Sequence, residues 1–213
     1  RIGRYLKGTM NKGLVMSPSH HPRVDCYPDA DFAGLYGHED SRDPHCARSC
    51  TGYVILAFGC PVLWCSRLQT EITLSTMEAE YVALSTACKD LLPLVAVIRE
   101  LSAAVGLDAS FTSNIHCKIH EDNVGALTLA RLEPCRMTPR SKHYAIKYHW
   151  FREHVHSQRV HLLKIDSRKS TWRPFHQRSP GYFLYSFAIL ADGLVASTHP
   201  QAREGVRCIT MSL

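Results

Sequence analysis

Apolar and polar positions alternate with a period of two along residues 24–32, where Val24, Cys26 and Pro28 oppose Asp25, Tyr27, Asp29 and Asp31. That period predicts a strand, ending at Gly34. Residues 51–58 and 61–66 carry the β-branched and aromatic side chains of two more strands, joined at Gly59-Cys60, so the first three strands form an antiparallel meander. The period then changes. Met77, Tyr81, Leu84 and Cys88 fall on one helical face, and Ser75 with Glu78 three residues on forms a capping-box pattern, so a helix begins after Ser75. A second helical stretch over 91–105 ends at Gly106.

Further on, residues 115–120 alternate as a buried strand that the acidic pair Glu121-Asp122 terminates at the start of a short helix over 123–131. A Pro-bounded loop over 133–140, a helix from 141 to about 155 and a last strand over 160–165 follow. Three strands, helix, strand, two helices and strand predict an α/β fold, a mixed sheet with helices on its faces. The chain shows neither an internal repeat nor a low-complexity stretch.

Composition adds bounds. The length of 213 residues suits one domain with a remainder or one larger domain, and 45% apolar with 21% charged residues matches a globular chain. The longest apolar run near the C-terminus, 182–191, is too short to cross a bilayer, so neither a transmembrane helix nor a membrane partner is expected. The chain opens at Arg1 without a charged-then-apolar leader, which reads as a piece of something longer. Twenty-five Lys and Arg against nineteen Asp and Glu give +6, a mild bias toward a polyanionic partner. Nine cysteines, an odd count without paired spacing, read as free thiols in a reducing, intracellular compartment. His45, Cys46 and Cys50 cluster, but no second ligand pair follows at zinc spacing, so a loop between strands is expected there.

The candidate chemistry lies in three acidic motifs: Tyr27-Pro28-Asp29-Ala30-Asp31-Phe32-Ala33-Gly34, Ser75-Thr76-Met77-Glu78-Ala79-Glu80-Tyr81 and Ile119-His120-Glu121-Asp122-Asn123. They set an Asp, Glu, Asp order in which each acid lies at a strand end or a helix start, the arrangement of a two-metal phosphodiester hydrolase. Each acid also has a purely structural role open to it. Glu78 can cap its helix, Asp122 can favour a helix N-terminus, and Asp29 can serve a strand-end turn.

Together with Ser49 to Val54, Leu63-Trp64, Leu68-Gln69-Thr70-Glu71-Ile72 and Lys142-His143-Tyr144-Ala145-Ile146-Lys147-Tyr148-His149, these motifs resemble the ribonuclease H domain of copia-type LTR retrotransposon Pol polyproteins. The resemblance covers about residues 20–166, and Arg4 to Thr9 resembles the link that follows the reverse transcriptase. It divides the chain into the end of that link (1–19), a ribonuclease H-like domain (20–166) and an aberrant tail (167–213). It implies a five-stranded ribonuclease H-like sheet, hydrolysis of RNA in RNA–DNA hybrids during reverse transcription, and the upstream reverse transcriptase portion as a partner. By the same resemblance Asp29, Glu78 and Asp122 are the catalytic and metal-binding acids for two Mg²⁺ ions, with Mn²⁺ as a substitute. Asp31 competes with Asp29, because two residues along a strand it points to the same face. The basic approach and helix, Arg136, Arg140, Lys142, His143, Lys147 and Arg152, is expected to contact phosphates, with a solvated helix face as the alternative. Tyr144, Tyr148 and Phe151 are expected in the core.

Three departures stand out. Pro28 falls in what should be a central strand, where it removes a ladder donor. Cys50 stands where the family has a basic residue. A segment resembling Leu-Ala-Asp-Ile-Phe-Thr-Lys, which carries a fourth acid after the last strand, does not follow Asp166. If the codons from Thr171 onward are read one nucleotide later, the genetic code permits Leu-Gly-Asp-Leu-Phe-Thr-Lys-Gly-Leu. A frameshift between about Asp166 and Thr171 is therefore expected, with impaired or absent nuclease activity and an out-of-frame tail.

Overall fold

The computed structural model describes residues 7, 8, 10, 16–37, 40, 42–133, 136, 148–157 and 159–166. Five strands form one sheet: β1 (Arg23–Asp31), β2 (Cys50–Ala57), β3 (Cys60–Leu68), β4 (His116–Glu121) and β5 (His161–Lys164), in the order β3-β2-β1-β4-β5. The first three are antiparallel, and β4 and β5 run parallel to β1. Among the described residues four helices accompany them: α1 (Thr76–Ala104), α2 (Ala109–Ser113), α3 (Val124–Ala130) and α4 (Arg152–His156). A 3-10 turn, Pro44–Ala47, capped by Asp43, occupies the loop that holds Cys46. The seven described cysteines are all free.

The hairpin between β2 and β3 turns at Phe58 and Gly59, one residue earlier than the sequence suggested. Both have positive φ, 53° and 83°, as a two-residue turn matched to strand twist requires. The β1–β4 ladder pairs Arg23 to Cys26 with His116 to Ile119 and stops there. Pro28 lies beyond its end, so its missing N–H costs this ladder nothing, and β1 remains central.

The two expected helical stretches are one helix of 29 residues running through Pro93. Tyr81, Leu84, Cys88, Leu91 and Val95 recur at three- and four-residue steps and are all buried, while Pro93 lies on the exposed side. Continuous burial on one face outweighs the local penalty of an interior proline. The helix ends in a Schellman motif. Leu107 N–H donates to the Ser102 carbonyl (3.0 Å) and Gly106 N–H to that of Ala103 (3.1 Å), with Gly106 at φ 75°. By length and composition alone α1 is apolar enough to cross a membrane, contrary to the sequence expectation. Half of its most apolar window is buried inside the protein, the position of a core helix.

The core lies between α1 and one face of the sheet: Val24, Cys26, Tyr53, Ile55, Cys117 and Ile119 meet the buried face of α1. Tyr148 and Phe151 join it, as expected, and Tyr144 lies outside the described residues. So do the proposed 171–179 reading-frame segment and all of the tail beyond Asp166.

Candidate active site

Parallel strands that part at their C-terminal ends leave a crevice between them. Here β1 and β4 cease to pair after Cys26 and Ile119, and the chain places Asp29 just beyond that point on one side and Glu121 and Asp122 on the other. The N-terminus of α1 closes the crevice from the core side. Three small side chains, Ala30, Ala79 and Ala83, pack together and let the first turns of the helix approach β1.

Polar anchors fix that approach. The buried Gln69 amide donates to the Ala79 carbonyl (2.9 Å) and to Thr51 Oγ1 (3.0 Å). Ser49 Oγ bonds Thr73 Oγ1 (2.7 Å) and accepts from Ala33 N–H (3.3 Å). Residues of the Ser49 to Val54 and Leu68 to Ile72 motifs thus work as scaffold, holding the loop after β1 against the lead into α1.

The carboxylate that α1 delivers is Glu80, and the expected assignment to Glu78 is corrected. Ser75 caps the helix by accepting from Glu78 N–H (3.2 Å), and the Glu78 carboxylate turns back to accept from Leu74 N–H (2.8 Å). Glu78 is thus committed to the capping box, and a side chain two residues further along a helix points to nearly the opposite side. Glu80, only 5% exposed, lines a cleft of about 410 Å³ with Asp31, Phe32, Thr76, Asp122 and Asn123. Ala30 N–H donates to its carboxylate. The sequence carried a signal for this: Glu80, Ala83, Leu84 and Ala87 share the buried helix face, whereas Glu78 sits at the capping position.

Glu121, also missed, is fully buried. It follows Cys117 and Ile119 on the core-facing side of β4, and its Oε1 accepts from Asn123 N–H (3.0 Å). Burial raises both glutamates well above the ordinary carboxylate range. Glu80 is then raised further by Glu121, Asp29 and Asp122, and Glu121 further by Asp122 and Asp29. Four acids therefore act on one another in a small volume. Asp29 belongs to that field without lining the cleft, whereas Asp31 lines the cleft with its carboxylate packed against Gly34, where a Cβ would collide with it.

A divalent cation suits this donor set, because hard cations take carboxylate oxygens. Glu80 Oε2 and Glu121 Oε2 are buried without a hydrogen-bond partner. Among the described residues, no three His, Cys, Asp or Glu side chains converge at ligating geometry. The residues fit a cation by charge and by unmet oxygens, with the side chains not yet gathered around one.

The basic segment cannot be placed as a whole: Arg140, Lys142, His143 and Lys147 lie outside the described residues. Arg152 corrects the expectation outright. It is 0% exposed; Nε donates to Tyr81 Oη (2.9 Å) and Nη1 to the Arg136 carbonyl (2.9 Å). A guanidinium enclosed in the core cannot meet a phosphate at the surface. His149 Nδ1 shares the same hydroxyl at 2.8 Å.

Strand order and register define the class: an antiparallel meander whose first strand is continued by two parallel strands, with the long helix on one face, is a ribonuclease H-like fold. The homologues of the chain are retrovirus-related Pol polyproteins from plant transposons. It is 32% identical over 172 residues to that of transposon TNT 1-94 from Nicotiana tabacum, across 79% of this chain and 11% of the relative. It is 30% identical over 167 residues to that of transposon RE1 from Arabidopsis thaliana, across 78% of this chain and 10% of the relative. The chain thus spans about a tenth of the length of these relatives. No family model matches it. Among solved structures, LC11-RNase H1 from compost is 16% identical, with 70% of this chain and 87% of that chain covered and a TM-score of 0.41.

Proposed function

We propose that the cleft is the active site of a retrotransposon ribonuclease H domain that hydrolyses the RNA strand of RNA–DNA hybrids during reverse transcription, impaired in this copy. The observation that carries this reading is that Glu80 and Asp122 line one cleft at the parting ends of β1 and β4, with Asp29 near enough to act on Glu80. Asp29 extends from the central strand, Glu80 from the first turns of α1, and Asp122 from the end of β4, so three rigid elements position the three acids. Bound Mg²⁺ or Mn²⁺ ions supply water activation and stabilisation of the departing 3′ oxygen in such sites. The residues of this chain would hold the cations, the half-buried Asp29 and Asp122 together with the buried Glu80. Phe32 and Thr76 line the wall that a nucleotide would meet. Impairment follows from the missing fourth acid, and a frameshift after Asp166 explains its absence. The reverse transcriptase portion of a longer polyprotein is the proposed covalent partner.

The test incubates the purified chain with a labelled RNA–DNA hybrid in Mg²⁺ and in Mn²⁺. A repaired chain runs beside it, its residues from Trp172 onward replaced by Leu-Gly-Asp-Leu-Phe-Thr-Lys-Gly-Leu and a following helix. Cleavage by the repaired chain, abolished by Asp29→Asn or Glu80→Gln, supports the reading. Hybrid binding without cleavage by either chain leaves a catalytically dead nucleic-acid-binding remnant. Equal cleavage by both chains removes the impairment claim.

A further inference from the structure

Glu121 poses a question that its backbone contacts do not answer. Its Oε1 accepts Asn123 N–H at 3.0 Å, a task that a glutamine oxygen in the same place performs as well. Its Oε2 is buried with no partner, and the whole residue is 0% exposed. A negative charge here is taken out of water beside three other acids, Asp29, Glu80 and Asp122, with which it interacts unfavourably. No described Lys or Arg forms a salt bridge with it. The structure therefore uses the shape of this side chain but not its charge.

We infer that Glu121 is a fourth carboxylate of the cation-binding site, its charge serving a divalent ion shared with Asp29, Glu80 and Asp122. The inference rests on the reading above and extends it to a residue that neither the spacing of the acidic motifs nor the resemblance assigns. Glu121 ends β4 and Asp122 follows it directly, so the chain carries both acids to the place where β1 and β4 part. Glu80 comes from α1 near enough to act on Glu121 and carries another unpartnered buried carboxylate oxygen. Two such oxygens, one from α1 and one from the end of β4, supply the inner half of a hard-cation site whose outer half is Asp29 and Asp122.

Mn²⁺ binding to the full chain at neutral pH, read by calorimetry and by the rise in melting temperature, tests this without reference to activity. Four proteins are compared: the unaltered chain, Glu121→Gln, Asp29→Asn and Glu78→Gln. Glu121→Gln keeps the acceptor for Asn123 and removes only the charge. It is expected to melt higher than the unaltered chain in the absence of cation, to bind Mn²⁺ at least tenfold more weakly, and to lose most of the Mn²⁺-dependent rise in melting temperature. Glu78→Gln is expected to bind as the unaltered chain does. If Glu121→Gln binds Mn²⁺ normally while Asp29→Asn does not, a cation site exists without Glu121 and the inference fails alone. If both variants bind normally, or the unaltered chain binds no Mn²⁺ at millimolar concentration, the acid cluster is not a cation site and the proposed function falls with it. Should Glu121→Gln melt far below the unaltered chain, its charge is structural and the inference is likewise overturned.

Discussion

Glu80 and Tyr81 are consecutive, both buried in the second turn of α1, and their surroundings are opposites. Tyr81 Oη is fully engaged: it accepts from Arg152 Nε and bonds His149 Nδ1, the Arg152 guanidinium lies 5.6 Å from its ring, and Phe151 packs beside it at 5.5 Å. Here one cation, one hydroxyl and one imidazole tie α1 to the segment entering α4. Glu80 instead meets Glu121, Asp29 and Asp122, all acids, and keeps an oxygen without a donor. His149 Nε2 and Arg152 Nη2 in the Tyr81 network also lack partners, so what sets Glu80 apart is that its unmet oxygen is gathered with like charges, as at a site kept for a ligand. One turn of helix thus contributes a structural node on one side and a functional one on the other.

The largest expected effect breaks the structural node. Arg152→Ala removes two charge-assisted hydrogen bonds and leaves a cavity beside Tyr81 Oη and His149. A loss of about 3 kcal/mol is expected in denaturant unfolding, with the slope unchanged. Retained stability would place the guanidinium in solvent and restore it as a candidate phosphate contact. Tyr81→Phe removes only the shared hydroxyl and strands Arg152 Nε and His149 Nδ1, so about 1 to 2 kcal/mol is expected. The two losses should not add, since both variants break one network.

Acid titration separates the nodes by sign. Burial, then the neighbouring Arg152, lowers His149 from 6.5 to about 4. The unfolded chain therefore binds the proton first as pH falls, so this contribution is complete above about pH 6.5 and is lost as pH falls toward 4. Glu80 and Glu121 are shifted the other way, above their usual 4.5. Their contribution is complete below pH 4.5 and is lost as pH rises through their folded values. Melting curves across pH 4 to 7.5 without cation should give opposing slopes. His149→Phe is expected to remove the acid-side loss, and Glu80→Gln the neutral-side loss. A Glu80→Gln variant with an unaltered pH profile would show that neither burial nor the neighbouring acids raise Glu80.

Much of this architecture is legible in the chain, because strand and helix periods report burial directly. The alternation over Val24, Cys26 and Pro28, and later over Cys117, Ile119 and Glu121, names the core face of the two parallel strands that frame the cleft. What is not legible is long-range. Periodicity says that Arg152 lies on a helix but not that Tyr81, 71 residues earlier, offers it a hydroxyl in the core. It places Pro28 in a central strand but not beyond the end of the β1–β4 ladder. Two helical stretches merge through Pro93 because the buried face continues unbroken across it. The choice between Glu78 and Glu80 sits between these cases. The capping box claims Glu78 on local grounds alone, whereas the role of Glu80 depends on how closely the alanines let α1 approach β1.

That choice also yields the smallest expected effect and the sharpest contrast within one turn of helix. Glu78→Ala deletes the acceptor of Leu74 N–H and leaves the Ser75 cap in place. Removing one half of a capping box costs about 0.5 to 1 kcal/mol, within reach of careful denaturant titration. It should leave Mn²⁺ binding and hybrid cleavage by the repaired chain untouched, because the side chain faces away from the cleft. Glu80→Gln should do the reverse, raising cation-free stability while abolishing cleavage. If Glu78→Ala abolished cleavage at so small a structural cost, the helix would have to turn to present Glu78 when nucleic acid binds. The assignment of Glu80 as the acid of α1 would then be withdrawn.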